Sequence, residues 1–284
     1  MFFYILYRIG YFVSNALPLK MMYWLADRFA DARYAVARKD REAVARNLSI
    51  VLKKDIAECR RMARNVFRNF GLYMVDFFRM ARLDKDLLKD MVQVEGIENL
   101  DNVLKQGKGV IALSCHMGNW ELGGVAVAML GYDISAVVLT HKHDKINDFF
   151  IRQREEKGLK AITINSVMKR CLSVLLNKKI LALVGDRNFT NSGITLDFFG
   201  VPMSIPKGPV ALSIKTDSPI VPVFCVRKDR FSYKLIFDKP IEALDVKGTA
   251  EKIVRVMEKY IYTYPEQWFI FRRFWEKPKD AFAV

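Results

Sequence analysis

The sequence predicts an α/β protein with a helical N-terminal region, on three observations. From residue 107 onward, short apolar runs alternate with amphipathic segments, the rhythm of strands and helices following one another. Before that point, apolar residues recur at three- and four-residue steps, as in a succession of helices. The chain has 284 residues, 51% of them hydrophobic, so it can bury a sizeable core without disulfides or metals.

Residues 1–19, MFFYILYRIGYFVSNALPL, carry a single charge, Arg8, and are rich in Phe, Tyr, Ile and Leu. They lack the basic leader and small-residue cleavage site of a secretory signal peptide, so the segment is expected to stay on the chain. Interrupted by Arg8, Gly10, Asn15 and Pro18, it fits a shallow interfacial helix as well as a membrane span, and a buried first helix is the plainer alternative. Residues 20–82 contain fifteen Lys or Arg against seven Asp or Glu, beside the exposed-looking aromatics Tyr23, Trp24 and Phe29. That mixture suits anionic lipid headgroups, or a solvated basic surface. Within it Ile56, Cys59, Ala63, Val66, Phe70, Met74 and Phe77 mark one long amphipathic helix, its stripe better read as core than as membrane face.

Polar helices are expected at 83–91 and 97–106. Strands are expected at 110–114, 134–139, 161–164, 180–184, 220–226 and 233–237, and helices at 120–130, 145–157, 167–177, 208–215 and 249–262. No repeat, low-complexity stretch or clear linker divides the chain. The reading is a hydrophobic membrane-associating segment at 1–19 and one α/β domain at 20–284, whose part 20–106 is helical.

The formal net charge of +15 points to an anionic partner: nucleic acid, a membrane surface, or an acidic protein. Cys59, Cys115, Cys171 and Cys225 show no CxxC spacing, which suggests neither a zinc site nor a disulfide framework and fits a reducing compartment.

The sharpest constellation is VIALSCHMGNWELGG, residues 110–124. It reads as a buried strand, a turn with Asn119 as N-cap, and a helix carrying Glu121 in its first turn. His116 then sits at the carboxyl end of a strand, where open α/β sheets place their ligands. The His116-to-Glu121 spacing is one residue longer than a helical HExxH pair and no third ligand is near, so no metal is expected. A neutral imidazole held by a carboxylate is a general base suited to neutral pH; the alternative is a structural pair. His141 and His143 in THKHD read as solvated loop rather than as metal ligands. Asp186, Arg187 and Asn188 follow a second apolar strand and are cleft candidates. Lys207, opening a helix at KGP, offers a cation and backbone donors for a phosphate or an oxyanion, against a reading as turn chemistry alone. Residues 264–275 interleave aromatics with cations, a pattern that grips a membrane interface or stacks nucleobases; no nucleic-acid module accompanies it, so no nucleic acid is expected.

Five of these pieces, in order, resemble the late lipid A biosynthesis acyltransferases of the lysophospholipid acyltransferase superfamily: 41–48 (REAVARNL), 116–121 (HMGNWE), 186–200 (DRNFTNSGITLDFFG), 206–209 (PKGP) with the helix and PIVPV that follow, and 265–275 (PEQWFIFRRFW). The resemblance implies a glycerolipid-acyltransferase-like fold, a mixed central β-sheet flanked by helices. It implies transfer of a fatty acyl chain from a thioester, acyl carrier protein rather than acyl-CoA, to a hydroxyl of a lipid A precursor or related glycolipid, at the cytoplasmic face of the inner membrane and without a cofactor. His116 matches the family's base and Glu121 its charge partner. Asp186 falls on an acidic position of the later motif, and Arg154, with Arg152 as alternative, on an arginine near the active site. The N–H groups of Gly118 and Asn119, with Arg154 or Lys207, are the expected oxyanion donors. DRN stands where the family more often has D-Q/H-D, a departure that bears on the acceptor. A hydrolase delivering the acyl chain to water and a non-catalytic basic binding protein are the other two classes that fit.

Overall fold

The computed structural model describes residues 2–139, 144–163, 167–188 and 193–276, and in them the α/β expectation holds. The described strands are β1 (Val92–Glu95), β2 (Val110–Ser114), β3 (Ile134–Val137), β4 (Lys160–Ile162), β5 (Ile180–Val184), β6 (Gly193–Phe198), β7 (Val201–Pro206), β8 (Ile220–Arg227) and β9 (Tyr233–Phe237). Seven form one sheet in the order β1-β9-β8-β2-β5-β3-β4. It is mixed: β8, β2, β5, β3 and β4 run parallel, while β9 is antiparallel to β8 and carries β1 parallel to itself. The central strand β2 is apolar without alternation because both of its faces are covered. Ile111 and Leu113 enter one core and Val110 and Ala112 the other.

The helices are α1 (Phe2–Ala16), α2 (Leu19–Val36), α3 (Arg38–Leu52), α4 (Ile56–Arg79), α5 (Lys85–Met91), α6 (Ile97–Lys105), α7 (Trp120–Met129), α8 (Asp144–Glu155), α9 (Val167–Leu176), α10 (Gly208–Thr216) and α11 (Val246–Thr263). The long helix α4 begins where Asp55 accepts a hydrogen bond from the Ala57 N–H, an ordinary N-cap. Its stripe is core: Cys59, Ala63, Val66 and Phe77 are fully buried.

Two elements were not foreseen, and two expectations need correction. The N-terminal region is helical apart from the short strand β1, whose Val92 and Val94, spaced for a strand, pair with the edge of β9. Residues 193–206 form a separate hairpin, β6 with β7, joined by Phe199 and Gly200 at φ of 56° and 79°. Two positive φ values in a two-residue loop match the twist of the flanking strands, a requirement Gly200 meets freely and Phe199 at some cost. Tyr23 is fully buried, although Trp24 and Phe29 are exposed. The aromatic C-terminal stretch faces inward, with Trp268, Phe269, Ile270 and Phe274 all buried. The two candidate histidines of the loop, His141 and His143, lie outside the described residues.

No described helix is long and apolar enough to cross a membrane. One side of α1 rests on α4, where Asn15 Nδ2 donates to Phe78 O at 2.8 Å and Tyr7 meets the Phe78 ring edge-on. Its other side leaves Ile5, Leu6, Ile9 and Phe12 exposed, at helical spacing.

Candidate active site

Strand register builds the site. In the β2–β5 ladder Ser114 lies opposite Val184, and the Gly185 N–H donates to Ser114 O at 2.9 Å, so the two chains leave the sheet side by side. His116 is two residues past the end of β2, and Asp186 two residues past the end of β5. Equal offsets on neighbouring parallel strands, about 4.8 Å apart, bring the side chains within reach of each other. His116 Nδ1 and Asp186 Oδ1 are 2.6 Å apart.

Asp186 is fully buried, and an isolated charge there would cost several kcal/mol. It is instead held by the imidazole, by the His116 backbone N–H at 3.1 Å and by the Trp268 indole N–H at 3.2 Å. Burial pushes its carboxyl up, but the His116 charge and these hydrogen bonds outweigh burial and keep it below the usual carboxylate range. An ionised carboxylate can only accept, so Nδ1 carries the proton and the lone pair lies on Nε2. Nε2 has no hydrogen bond among the described residues, and the His116 side chain is 16% exposed. Trp120 packs edge-on against the imidazole, with centroids 5.3 Å apart, and stacks in turn on Tyr73.

Glu121 is therefore not the hydrogen-bond partner of His116. Its two oxygens accept from Arg154 Nε and Nη2 at 2.7 and 2.6 Å, in a bidentate pair whose side chains are each 10% exposed. Burial lowers the Arg154 guanidinium's proton affinity, but Glu121 more than restores it. The helix start explains the misreading. Asn119 does cap α7, accepting from the Leu122 N–H at 3.0 Å, and Glu121 does lie in the first turn. The turn then aims that carboxylate at α8, where Arg154 and not Arg152 faces inward. Arg152 is exposed and paired with Glu156, in the turn just past the end of α8.

The expected oxyanion donors near His116 are occupied. The Gly118 N–H donates to Gln267 O at 2.8 Å and the Asn119 N–H to Cys225 O at 2.7 Å. These bonds need close backbone approach: Gly118 has φ of 60°, and a Cβ there would lie 2.1 Å from Cys225 O. Asn119 is wholly buried, its Nδ2 reaching the Tyr233 hydroxyl at 3.3 Å, so it shapes the loop rather than facing a ligand. Lys207 is exposed at the start of α10, and no hydrogen bond or ion pair joins it to His116 or Asp186 among the described residues. Arg187, half-buried beside Asp186, remains at the site.

Several contributors were not singled out from sequence. Trp268 braces Asp186, and the adjacent Phe269 N–H donates to His116 O at 2.8 Å. The Gln267 amide brackets the backbone of Arg227, accepting from its N–H at 2.7 Å and donating to its carbonyl at 2.9 Å. Asn47, inside REAVARNL, holds the same C-terminal segment by donating to Ile270 O and Arg272 O and accepting from the Phe274 N–H. The signal available was composition: Asn and Gln embedded in apolar runs are polar groups that need partners.

With this geometry in view, comparison with known proteins is direct. The family model for bacterial lipid A biosynthesis acyltransferases matches residues 1–277. A phosphatidylinositol mannoside acyltransferase of Mycolicibacterium smegmatis is 26% identical over 275 residues, covering 95% of this chain and 90% of that protein. One from Mycobacterium tuberculosis is 23% identical, over 95% and 87%. The lipid A biosynthesis palmitoleoyltransferase of Escherichia coli is 27% identical over 273 residues, covering 92% and 87%.

Proposed function

The chain belongs to the bacterial lipid A biosynthesis acyltransferase family and is an O-acyltransferase, and from that premise we propose that it transfers a fatty acyl chain from an acyl thioester to a hydroxyl of an anionic glycolipid, with His116 as general base and Asp186 as its partner. The carrying observation is the His116–Asp186 pair, with Nδ1 held by a buried carboxylate and Nε2 without a hydrogen bond among the described residues. As the acceptor oxygen attacks the thioester carbonyl, Nε2 takes its proton. The tetrahedral intermediate collapses, the C–S bond breaks, and the imidazolium returns the proton to the leaving thiolate. Asp186 stabilises that imidazolium and holds the ring in one tautomer. Glu121 and Arg154 fix the start of α7 to α8 and so position the loop that carries the base.

Acyl carrier protein is favoured over coenzyme A because the chain's net charge of +15 attracts an acidic partner. The acceptor is a lipid A precursor or a glycolipid resembling a phosphatidylinositol mannoside, the two acceptor types that the relatives' names carry. The enzyme lies on the cytoplasmic face of the inner membrane through α1 and α2. Ile5, Leu6, Ile9 and Phe12 on α1, and Met21, Trp24 and Phe29 on α2, are exposed apolar groups beside Arg8, Lys20 and Arg28, as an interfacial helix pair requires.

The test is His116→Ala with acyl carrier protein thioesters and a mixed glycolipid extract, products read by mass. Wild type should yield acylated lipid rather than free fatty acid, and the variant should lose transfer while keeping its melting temperature. Full transfer by the variant refutes the assignment, and free fatty acid as the sole wild-type product makes the protein a hydrolase.

A further inference from the structure

The buried carboxylate Asp76 and its ion-pair partner Arg227 take no part in the steps above. Arg227 closes β8 and faces Tyr233, the first residue of β9, across the ladder, while Asp76 reaches them from the last turn of α4. Asp76 Oδ2 accepts from Arg227 Nη2 and from the Tyr233 hydroxyl, and Oδ1 accepts from the Tyr23 hydroxyl at 2.5 Å. Arg227 Nη1 donates to Arg230 O at 2.8 Å, and the guanidinium lies over the Tyr233 ring, 4.5 Å from its centroid. Tyr23, Asp76, Arg227 and Tyr233 are all buried.

This cluster reaches the loop that carries His116 through side chain and backbone. The Tyr233 hydroxyl gives its proton to Asp76 and accepts from Arg227 Nη2, which leaves its second lone pair for Asn119 Nδ2 at 3.3 Å. The Arg227 backbone is clamped by the Gln267 amide, and Gln267 O accepts the Gly118 N–H. Cys225 O, on the same strand, takes the Asn119 N–H. Gly118 and Asn119 are therefore tied to the end of β8, directly after His116.

Stability alone does not call for such a cluster. Apolar side chains of similar volume often stabilise a core as well as a buried ion pair does, whereas the fixed directions of a satisfied hydrogen-bond network define one geometry. The geometry at stake is the 2.6 Å contact between His116 Nδ1 and Asp186. At a reacting centre a displacement of about 1 Å costs about a hundredfold in rate.

We infer that Arg227 is a positioning residue for the reaction: with Asp76 it orients the Tyr233 hydroxyl and holds the end of β8, and so sets where Gly118, Asn119 and the His116 imidazole come to rest. Its effect on turnover rests on the reading of His116 as general base; its effect on the imidazole does not.

The test uses the full chain with three changes: Arg227→Met combined with Asp76→Leu, Tyr233→Phe alone, and Arg227→Lys. The double variant replaces the ion pair by apolar groups and should keep a melting temperature close to that of wild type. One readout is steady-state kinetics. The other is the nuclear magnetic resonance of isotope-labelled histidine, with the His116 signal assigned by its loss in His116→Ala. In the folded double variant kcat should fall roughly ten- to a hundredfold with KM unchanged, and the His116 Nδ1–H resonance should shift. Tyr233→Phe should show the same shift with a smaller fall in kcat, and Arg227→Lys, which keeps the charge but not the fork, should lie between wild type and the double variant. A purely structural role predicts wild-type kcat and an unmoved resonance in every variant that keeps its melting temperature; either result, in both the double variant and Tyr233→Phe, overturns the proposal. If wild type transfers no acyl chain, the acyl-transfer reading fails and the resonance alone decides the positioning. Should the double variant fail to fold, Tyr233→Phe and Arg227→Lys carry the same comparison.

Discussion

Two buried carboxylates sit on either side of the loop that follows β2, and they differ in what they hold. Asp186 holds an imidazole whose second nitrogen opens outward, while Glu121 is closed on both oxygens by Arg154. A carboxylate holding an imidazole, a group that can both take and give a proton, can support proton transfer. One locked to a guanidinium, which never gives up its proton, can only fix geometry. Both residues lie a few positions beyond the carboxyl end of a parallel strand, so the partner decides the role.

Substitutions should separate the two roles. The largest effect on turnover is expected from Asp186→Asn, which keeps shape but removes the charge that stabilises imidazolium: kcat should fall about 10²–10⁴-fold with the melting temperature little changed, measured by steady-state kinetics and thermal unfolding. Glu121→Ala should act mainly on stability. It strands a buried guanidinium, costing about 3–5 kcal/mol by denaturant titration. Combining it with Arg154→Met should recover a large part of that loss, because an apolar pair replaces the charged one. No second-site change of this kind should restore turnover to Asp186→Asn. If Glu121→Ala proves fully stable yet inactive, the contrast between the two carboxylates collapses.

A smaller effect is expected from Trp268→Phe, which removes one neutral donor from Asp186 while keeping an aromatic in the core. Stability should drop by about 0.5–1.5 kcal/mol and kcat only a few-fold. The pH dependence of stability sharpens the comparison last. The Asp186 carboxyl is held below its ordinary value, so its contribution is complete above the unfolded pKa of about 3.9 and is lost as pH falls through the lower folded value. Between pH 5 and 8 this group should add no slope, and in acid unfolding Asp186→Asn should show a shallower dependence on pH than wild type.

Much of the fold was legible. The runs at 110–114, 180–184 and 233–237 are strands with those bounds, since a continuous or alternating apolar run flanked by breakers has few other solutions. The elements that escaped, β1 and the β6–β7 hairpin, depend on partners. Val92 and Val94 become a strand because β9 presents an edge to them, and the β6–β7 register depends on a turn with a non-glycine residue at positive φ. The aromatic C-terminus carries the same lesson. Its composition suits an interface, yet Asn47, His116 and Asp186 draw it into the core.

The sequence alone determined that this is an α/β chain, that His116 ends a buried strand, and that its motifs are those of a lipid acyltransferase family. These follow from local periodicity and from residue order, which tertiary contacts do not alter. Only the tertiary structure decided which carboxylate serves His116. Glu121 is five residues away along the chain and Asp186 seventy, but β2 and β5 are neighbours in parallel register while the first turn of α7 points to α8. Strand pairing across long sequence separation is set by the burial of whole faces, and no local pattern encodes it.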